Sequence, residues 1–208
     1  MRAASGDNQD LVIRNGRPAD AEDLARLAVL AGHGLLDIFY GGLIPGKSTH
    51  EIVVERRILW PGGFCEANNW RVIEDAGHRL LGGLNSFPHD LFVTATPDPL
   101  LREDRLATVA SLTELETAAT GTYYVNMIAV FPERRRAGAG AALMAEAERL
   151  ARLNGFRRMM LSTYEADGRL VNFYRNQGFE IHATKAIAPH PLLEHSGNWA
   201  LMVRDLDD

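Results

Sequence analysis

The sequence predicts an α+β chain built on a mixed sheet, and three observations carry that reading. Strand-type runs and amphipathic stretches alternate along the chain instead of segregating into halves. Residues 123–154 then read as strand, tight turn and helix. Tyr123-Tyr124-Val125-Asn126-Met127-Ile128-Ala129-Val130 is a β-type run that breaks at Pro132, and after three arginines and two glycines an alanine-rich segment sets Leu143, Ala147, Leu150 and Ala151 at helical spacing. Finally, 46% of the 208 residues are hydrophobic, enough to bury one sizeable core, and the length favours one domain over several.

Taken in order, residues 1–10 are polar, lack an apolar core of signal-peptide length and read as a disordered tail. Leu11-Val12-Ile13-Arg14 is a first strand. Asp20, with Asp23 three residues on, offers an N-cap to a helix carrying Leu24, Leu27, Ala28 and Ala31. Residues 32–61 hold a Gly-His-Gly step, the aromatic pair Phe39-Tyr40, a Gly41-Gly42 break and Ser48-x-x-Glu51, a capping box for a helical stretch through Leu59. These glycines and aromatics either contact substrate or simply turn and pack helices. Trp70-Arg71-Val72-Ile73-Glu74 and residues 80–87 form an antiparallel hairpin turned by Asp75-Ala76-Gly77-His78, and Gly82-Gly83 marks a bulge or a close backbone approach.

Residues 90–121 are a long connection with Pro97 and Pro99 first and a helix from about Leu112 to Ala118. Connections of this length are usually functional or mobile, and this one is expected to shape specificity or a subunit contact. Past the glycine-opened helix, which ends at Gly155, Arg157 to Tyr164 is a strand. Asp167 caps a short helix carrying Tyr174 that Gly178 terminates. Residues 179–187 and 199–206 are closing strands joined by a loop with His190 and His195.

Composition narrows the function. Lysine and arginine number 22 against 27 acids, a net charge of -5 and a pI near 5.8, so a nucleic-acid partner is not indicated. Cys65 is the sole cysteine; no disulfide framework exists and no Cys/His spacing suggests a metal. No stretch approaches the eighteen or so apolar residues of a membrane span, and a cytoplasmic location is expected.

The turn before the alanine-rich helix is the candidate site. A helix N-terminus leaves N–H groups unpaired and carries roughly half a positive charge, and Gly138 and Gly140 let the chain wrap closely around an anion. Arg134, Arg135 and Arg136 suit a ligand with more than one phosphate; equally, such a turn can be solvated linker. No Gly-Lys-Ser/Thr follows, which excludes a Walker loop. A dinucleotide fingerprint fails because Leu143 stands where a third small residue belongs and no acid lies near Met160.

Arg135-x-x-Gly138-x-Gly140, after Val130-Phe131-Pro132-Glu133 and before Leu143-Met144, resembles the acyl-CoA-binding motif of the GNAT superfamily of N-acetyltransferases. A second signature lies downstream: Asp167-Gly168-Arg169-Leu170-Val171-Asn172-Phe173-Tyr174-Arg175-Asn176-Gln177-Gly178-Phe179 is similar to the family's short helix ending in Tyr, three residues, Gly-Phe. The resemblance covers nearly the whole chain. It implies one domain over residues 11–208, with a central mixed, mostly antiparallel twisted sheet of about six to seven strands flanked by about four helices. It also implies acetyl-CoA as co-substrate, held by the amides of Arg135, Arg136, Ala137, Gly138, Ala139, Gly140 and Ala141 and by the main chain of Ile128, Ala129 and Val130, with Asp167 and Tyr174 also among the cofactor-binding residues. Three departures stand out: Arg136 replaces a common Gly, Ala137 replaces a frequent Lys or Arg so that the positive charge shifts by one residue, and Asp167 replaces a frequent Asn and adds a negative charge near the cofactor.

Acetyl transfer needs an acid for the departing thiolate and a route for the proton of the amine. Tyr174 is the candidate acid; the alternative is a core aromatic. For the base, Glu114, Glu116, Tyr124 and Asn126 are open, and Glu116 is the residue assigned, against the simpler expectation that both glutamates lie on a solvated helix face. Cys65 lacks a paired base, so no acyl-enzyme is expected. The reading is therefore direct attack by a primary amine, from a small molecule, a peptide N-terminus or a lysine, in a ternary complex. The alternatives are a CoA-binding sensor or interaction module without turnover, and a nucleotide-binding domain. A homodimer is common in the family.

Overall fold

The structure is a computed structural model describing residues 11–96, 98–135 and 138–206. The expected tail (1–10), Pro97, Arg136 and Ala137 lie outside the described residues. Seven strands, β1 (Val12–Asn15), β2 (Trp70–Glu74), β3 (Leu80–Pro88), β4 (Tyr123–Val130), β5 (Arg158–Tyr164), β6 (Glu180–Ala186) and β7 (Asn198–Asp205), form one sheet in the order β1-β2-β3-β4-β5-β7-β6. Every neighbouring pair is antiparallel except β4 with β5. The helices are α1 (Ala21–Gly32), α2 (Leu35–Tyr40), α3 (Thr49–Val53), α4 (His89–Thr94), α5 (Glu103–Thr108), α6 (Ala110–Thr117), α7 (Ala139–Leu153) and α8 (Gly168–Asn176). α3 continues into a π-helical turn, Val54–Ile58.

The expected α+β mixed sheet is present with all seven strands, and the extra helices are short ones in residues 35–40 and 89–117. Two layers cover the sheet. Leu24, Leu27 and Ala28 of α1 pack with Ile52 and Ile58 on the face that carries Val72, while Leu143, Ala147 and Ala151 of α7 pack on the face that carries Ile73. Adjacent β2 residues thus feed opposite cores, as the period-2 strand requires.

Several local signals hold. Ser48 and Glu51 form the reciprocal capping box, and the Asp167 carboxylate accepts from the N–H groups of Arg169 and Leu170 at 3.1 and 3.0 Å. Asp20 departs from expectation. It precedes α1 without capping it, because its carboxylate is held by Arg14 at 2.7 and 2.9 Å and by the Arg17 N–H. At Gly82 the reason is close approach: a Cβ there would lie 2.5 Å from the Ala129 carbonyl oxygen.

A bulge shapes β4. Asn85 faces Met127 and Ser86 faces Val125, so Asn126 is the extra residue. One inserted residue swaps the faces of a strand. Before it Tyr123 and Val125 face α7; after it Ile128 and Val130 do, and Met127, Ala129 and Phe131 turn to the α1 side. Period-2 alternation therefore does not run unbroken through Asn126.

Candidate active site

The sheet opens where its parallel strands part. β4 and β5 pair at Tyr123 with Met159 and at Tyr124 with Met160 and no further. Beyond, residues 125–130 of β4 and 161–164 of β5 flank a cleft of about 1740 Å³.

The open edge of β4 follows from its pairing. Phe131 N–H donates to the Leu81 carbonyl at 2.9 Å, and antiparallel hydrogen bonding alternates by residue. Met127, Ala129 and Phe131 therefore turn their main chain toward β3, and Ile128 and Val130 turn theirs to the cleft. The Val130 carbonyl there accepts from Arg135 Nε at 3.3 Å. Of the expected trio, Ala129 lines the cleft with its N–H and C=O turned away.

At one end of the cleft stands the start of α7. Gly138 adopts φ 79°, a left-handed conformation that suits glycine, and the first helical bond is Ala142 N–H to Gly138 C=O at 3.0 Å. The N–H groups of Ala139, Gly140 and Ala141 thus precede the ladder. A Cβ on Gly138 would meet no atom within 4 Å, so the approach is open, whereas a Cβ on Gly140 would lie 3.4 Å from the Phe173 ring of α8. This amide cradle, with Arg135 beside it, fits a diphosphate. Arg134 lies apart, in a shallow polar pocket with Asp20, Arg26 and Glu74.

Tyr174 lines the cleft from α8 and is buried. Burial, with the Asp167 carboxylate adding to it, pushes its phenol well above the ordinary tyrosine range, so it stays protonated at neutral pH. Asp167 itself is not a lining residue; its carboxylate is committed to capping α8, with His195 Nε2 3.6 Å away. It positions the helix that carries Tyr174.

The two glutamates separate. Glu114 is exposed and pairs with Lys185. Glu116 is 6% exposed, because with Leu112 and Leu115 it lies on the buried stripe of α6. The solvated-face expectation fails for Glu116. Its carboxylate lines the cleft and accepts from Tyr124 Oη at 2.6 Å. Ser162 Oγ lies buried beside that carboxylate. Burial raises Glu116 to about 7, with the Tyr124 hydrogen bond opposing the rise.

Residues 89–96 and 98–117 form a wall of the same cleft, through Leu91, Phe92, Val109 and Leu112. Arg105 ties the wall down by donating to the carbonyls of Ile38, Phe39 and Gly41 at 3.1, 3.0 and 2.9 Å, which caps the C-terminus of α2.

Sequence reasoning missed Arg57, which projects into the cleft from the π-helical turn. Its guanidinium donates to Cys65 Sγ at 3.1 Å, and Asn126 Nδ2 reaches the same sulfur at 3.5 Å and Asn85 Oδ1 at 2.7 Å. The available signal was Arg57 standing four residues after buried Val53. Near the rim the ligand atoms of His33, Glu194 and His195 lie within 4.8 Å of one another. His33 Nδ1 and Glu194 already pair at 2.8 Å. Loop residue and helix end meet there only through the fold, which sequence spacing cannot show.

Comparison with known proteins agrees with this geometry. The acetyltransferase (GNAT) family model matches residues 59–179. The chain belongs to the GNAT family. It is an N-acetyltransferase by that membership, and members of the family generally use acetyl-CoA. Similar folds include a GCN5-related N-acetyltransferase from Kribbella flavida, 21% identical with a TM-score of 0.58 over 94% of this chain and 98% of that one. A Drosophila melanogaster polyamine N-acetyltransferase is 15% identical with a TM-score of 0.63 over 95% and 100%. An agmatine N-acetyltransferase is 14% identical with a TM-score of 0.65 over 95% and 100%. No curated protein sequence matches. Among the described residues no helix is long and apolar enough to cross a membrane.

Tyr174→Phe in this GNAT protein is expected to lower kcat by about tenfold to a hundredfold and leave acetyl-CoA affinity within about threefold. A thiol of pKa about 8.5 leaves without help more readily than an alkoxide, which caps the effect. Steady-state kinetics beside calorimetric titration of acetyl-CoA check both halves.

Proposed function

We propose that residues 11–208 act as one acyl-CoA-dependent N-acyltransferase domain that moves an acetyl group from acetyl-CoA to a primary amine by direct attack in a ternary complex. The observation that carries this reading is the unpaired edge of β4 leading from the amide cradle of α7 to Glu116. The diphosphate would lie on the N–H groups of Ala139, Gly140 and Ala141, beside Arg135. The main chain of Ile128 and Val130 would hold the pantetheine amides. When bound, acetyl-CoA supplies an activated carbonyl and a thiolate leaving group.

The chain's own groups account for the proton traffic. A lysine-like amine is almost wholly protonated at pH 7, and exposing its lone pair costs about 4.6 kcal/mol. Glu116, raised to about 7, accepts that proton near neutrality, with Tyr124 holding its carboxylate by a hydrogen bond and Ser162 beside it. The Ile128 N–H polarises the carbonyl and stabilises the oxyanion. Tyr174 Oη protonates the departing sulfur.

The acceptor is a small amine or the amine of a peptide terminus or lysine. The agmatine and polyamine acetyltransferases of similar fold support an amine acceptor. The test is amine-dependent release of CoA thiol across a panel of small amines and peptides. The account predicts release that requires an amine and saturates with it. Binding of acetyl-CoA without release for any amine would instead identify a sensor without turnover.

A further inference from the structure

The cleft holds a guanidinium that no carboxylate among the described residues pairs with. Arg56 and Arg57 are adjacent in the π-helical turn, yet their surroundings differ. Arg56 forks onto Asp98 at 3.1 and 2.5 Å and stacks over Trp60 at 3.9 Å. Arg57, half-buried and lining the cleft, has no carboxylate partner among the described residues; its neighbours are the Cys65 thiol, the Tyr40 phenol and the Phe64 ring at 5.7 Å. Asp98 feels its charge, but both oxygens of Asp98 are taken by Arg56. A guanidinium removed from water without a counter-charge is costly, and the cost is recovered when a ligand brings the anion.

The position is also built. Cys65 Sγ accepts from Arg57 and from Asn126, the bulged residue of β4, and Asn85 is anchored by donating to the Phe64 and Asn69 carbonyls at 2.9 and 3.3 Å. This network orients the fork while leaving it without a backbone carbonyl or carboxylate to occupy it. The lining of the same cleft includes the apolar and aromatic side chains of Phe39, Phe64, Phe92 and Leu112.

Resting on the acyltransferase reading, we propose that the acceptor bears a carboxylate that Arg57 binds, so that the substrate class is a small amino acid with an apolar body, its amine directed at Glu116 and its acid at Arg57. The planar fork suits a carboxylate held by two parallel hydrogen bonds, which a lysine would hold less specifically. An acyl group ending in a carboxylate offers the same chemistry, and the test separates the two sources.

Calorimetry on the full chain saturated with CoA compares matched ligands that differ only by the carboxylate: L-phenylalanine with phenylethylamine, L-leucine with isoamylamine, γ-aminobutyrate with propylamine. At least one acid is expected to bind wild type about tenfold or more tighter than its amine. The preference falls to within about threefold in Arg57→Gln and partway in Arg57→Lys, with acetyl-CoA affinity unchanged in both. Equal binding of acid and amine to wild type, or a preference that survives Arg57→Gln, overturns the proposal. Should Arg57→Gln fail to fold by circular dichroism, the wild-type ratios and Arg57→Lys decide. A preference for succinyl-CoA over acetyl-CoA that depends on Arg57, without any acid preference among acceptors, assigns the anion to the acyl group and overturns it equally. Failure of acetyl-CoA to bind at all would remove the acyltransferase reading itself, a result distinct from tight acetyl-CoA binding with no acid preference.

Discussion

Glu116→Gln is expected to lower kcat/KM by about a hundredfold to a thousandfold and to abolish the rising limb of its pH profile. In wild type the base works only when ionised, so activity should rise through an apparent pKa of about 7. No falling limb is expected below about pH 10, because Tyr174 is pushed above its ordinary range. The same substitution should stabilise the fold under alkaline conditions. Burial raises the folded Glu116 carboxyl from its ordinary 4.5 to about 7, so burying its charge opposes folding. That penalty is absent below about pH 4.5, grows with pH and is complete above about 7, where it amounts to about 3 kcal/mol. Glutamine keeps an oxygen for Tyr124 Oη and carries no charge, so Glu116→Gln should gain about 1–3 kcal/mol over wild type at pH 8 and little at pH 4.5. Denaturant melts at the two pH values, beside the pH–rate profile, check this. A variant that is inactive but no more stable at pH 8 would contradict the burial argument, and one that is stabilised yet fully active would remove Glu116 as the base.

Gly138→Asp should raise the Kd for acetyl-CoA at least a hundredfold, about 3 kcal/mol. Its Cβ would stand in the open approach to the amide cradle, and the carboxylate would oppose the diphosphate there. The backbone change is tolerable, because Asp visits the left-handed region more readily than most residues, at about 1–2 kcal/mol of stability. Gly138→Asn separates the terms, since it carries the same backbone cost and nearly the same volume without charge. Titration calorimetry should find its affinity intermediate. Identical affinities for wild type and Gly138→Asp would mean that no anion is bound at this helix end.

Much of the frame was legible in the sequence. The 123–154 stretch announced strand, turn and helix through Pro132, Gly138 and Gly140, and both the Ser48–Glu51 and Asp167 caps use bonds that span three residues or fewer. Such signals are local and need no partner distant in sequence. What stayed hidden depends on partners distant in sequence. The short helices between residues 89 and 117 are held by contacts such as Arg105 to the end of α2, 64 or more residues away. Asp20 would have capped α1 but for Arg14 across the turn. Glu116 looked solvated because its neighbour Glu114 is, although two positions along a helix lie on different sides; its placement beside Leu112 and Leu115 was the usable clue. The bulge at Asn126 had no sequence signature, and it redirects half of β4.

The central claim is tested most directly by a thermal-shift titration of the wild-type chain with acetyl-CoA, CoA, ATP and NAD. Acetyl-CoA and CoA should raise the melting temperature by an amount that keeps growing with the logarithm of ligand over Kd, while ATP and NAD do not. No shift with either CoA species would contradict the account, and the turn before α7 would then be a surface turn that binds no CoA.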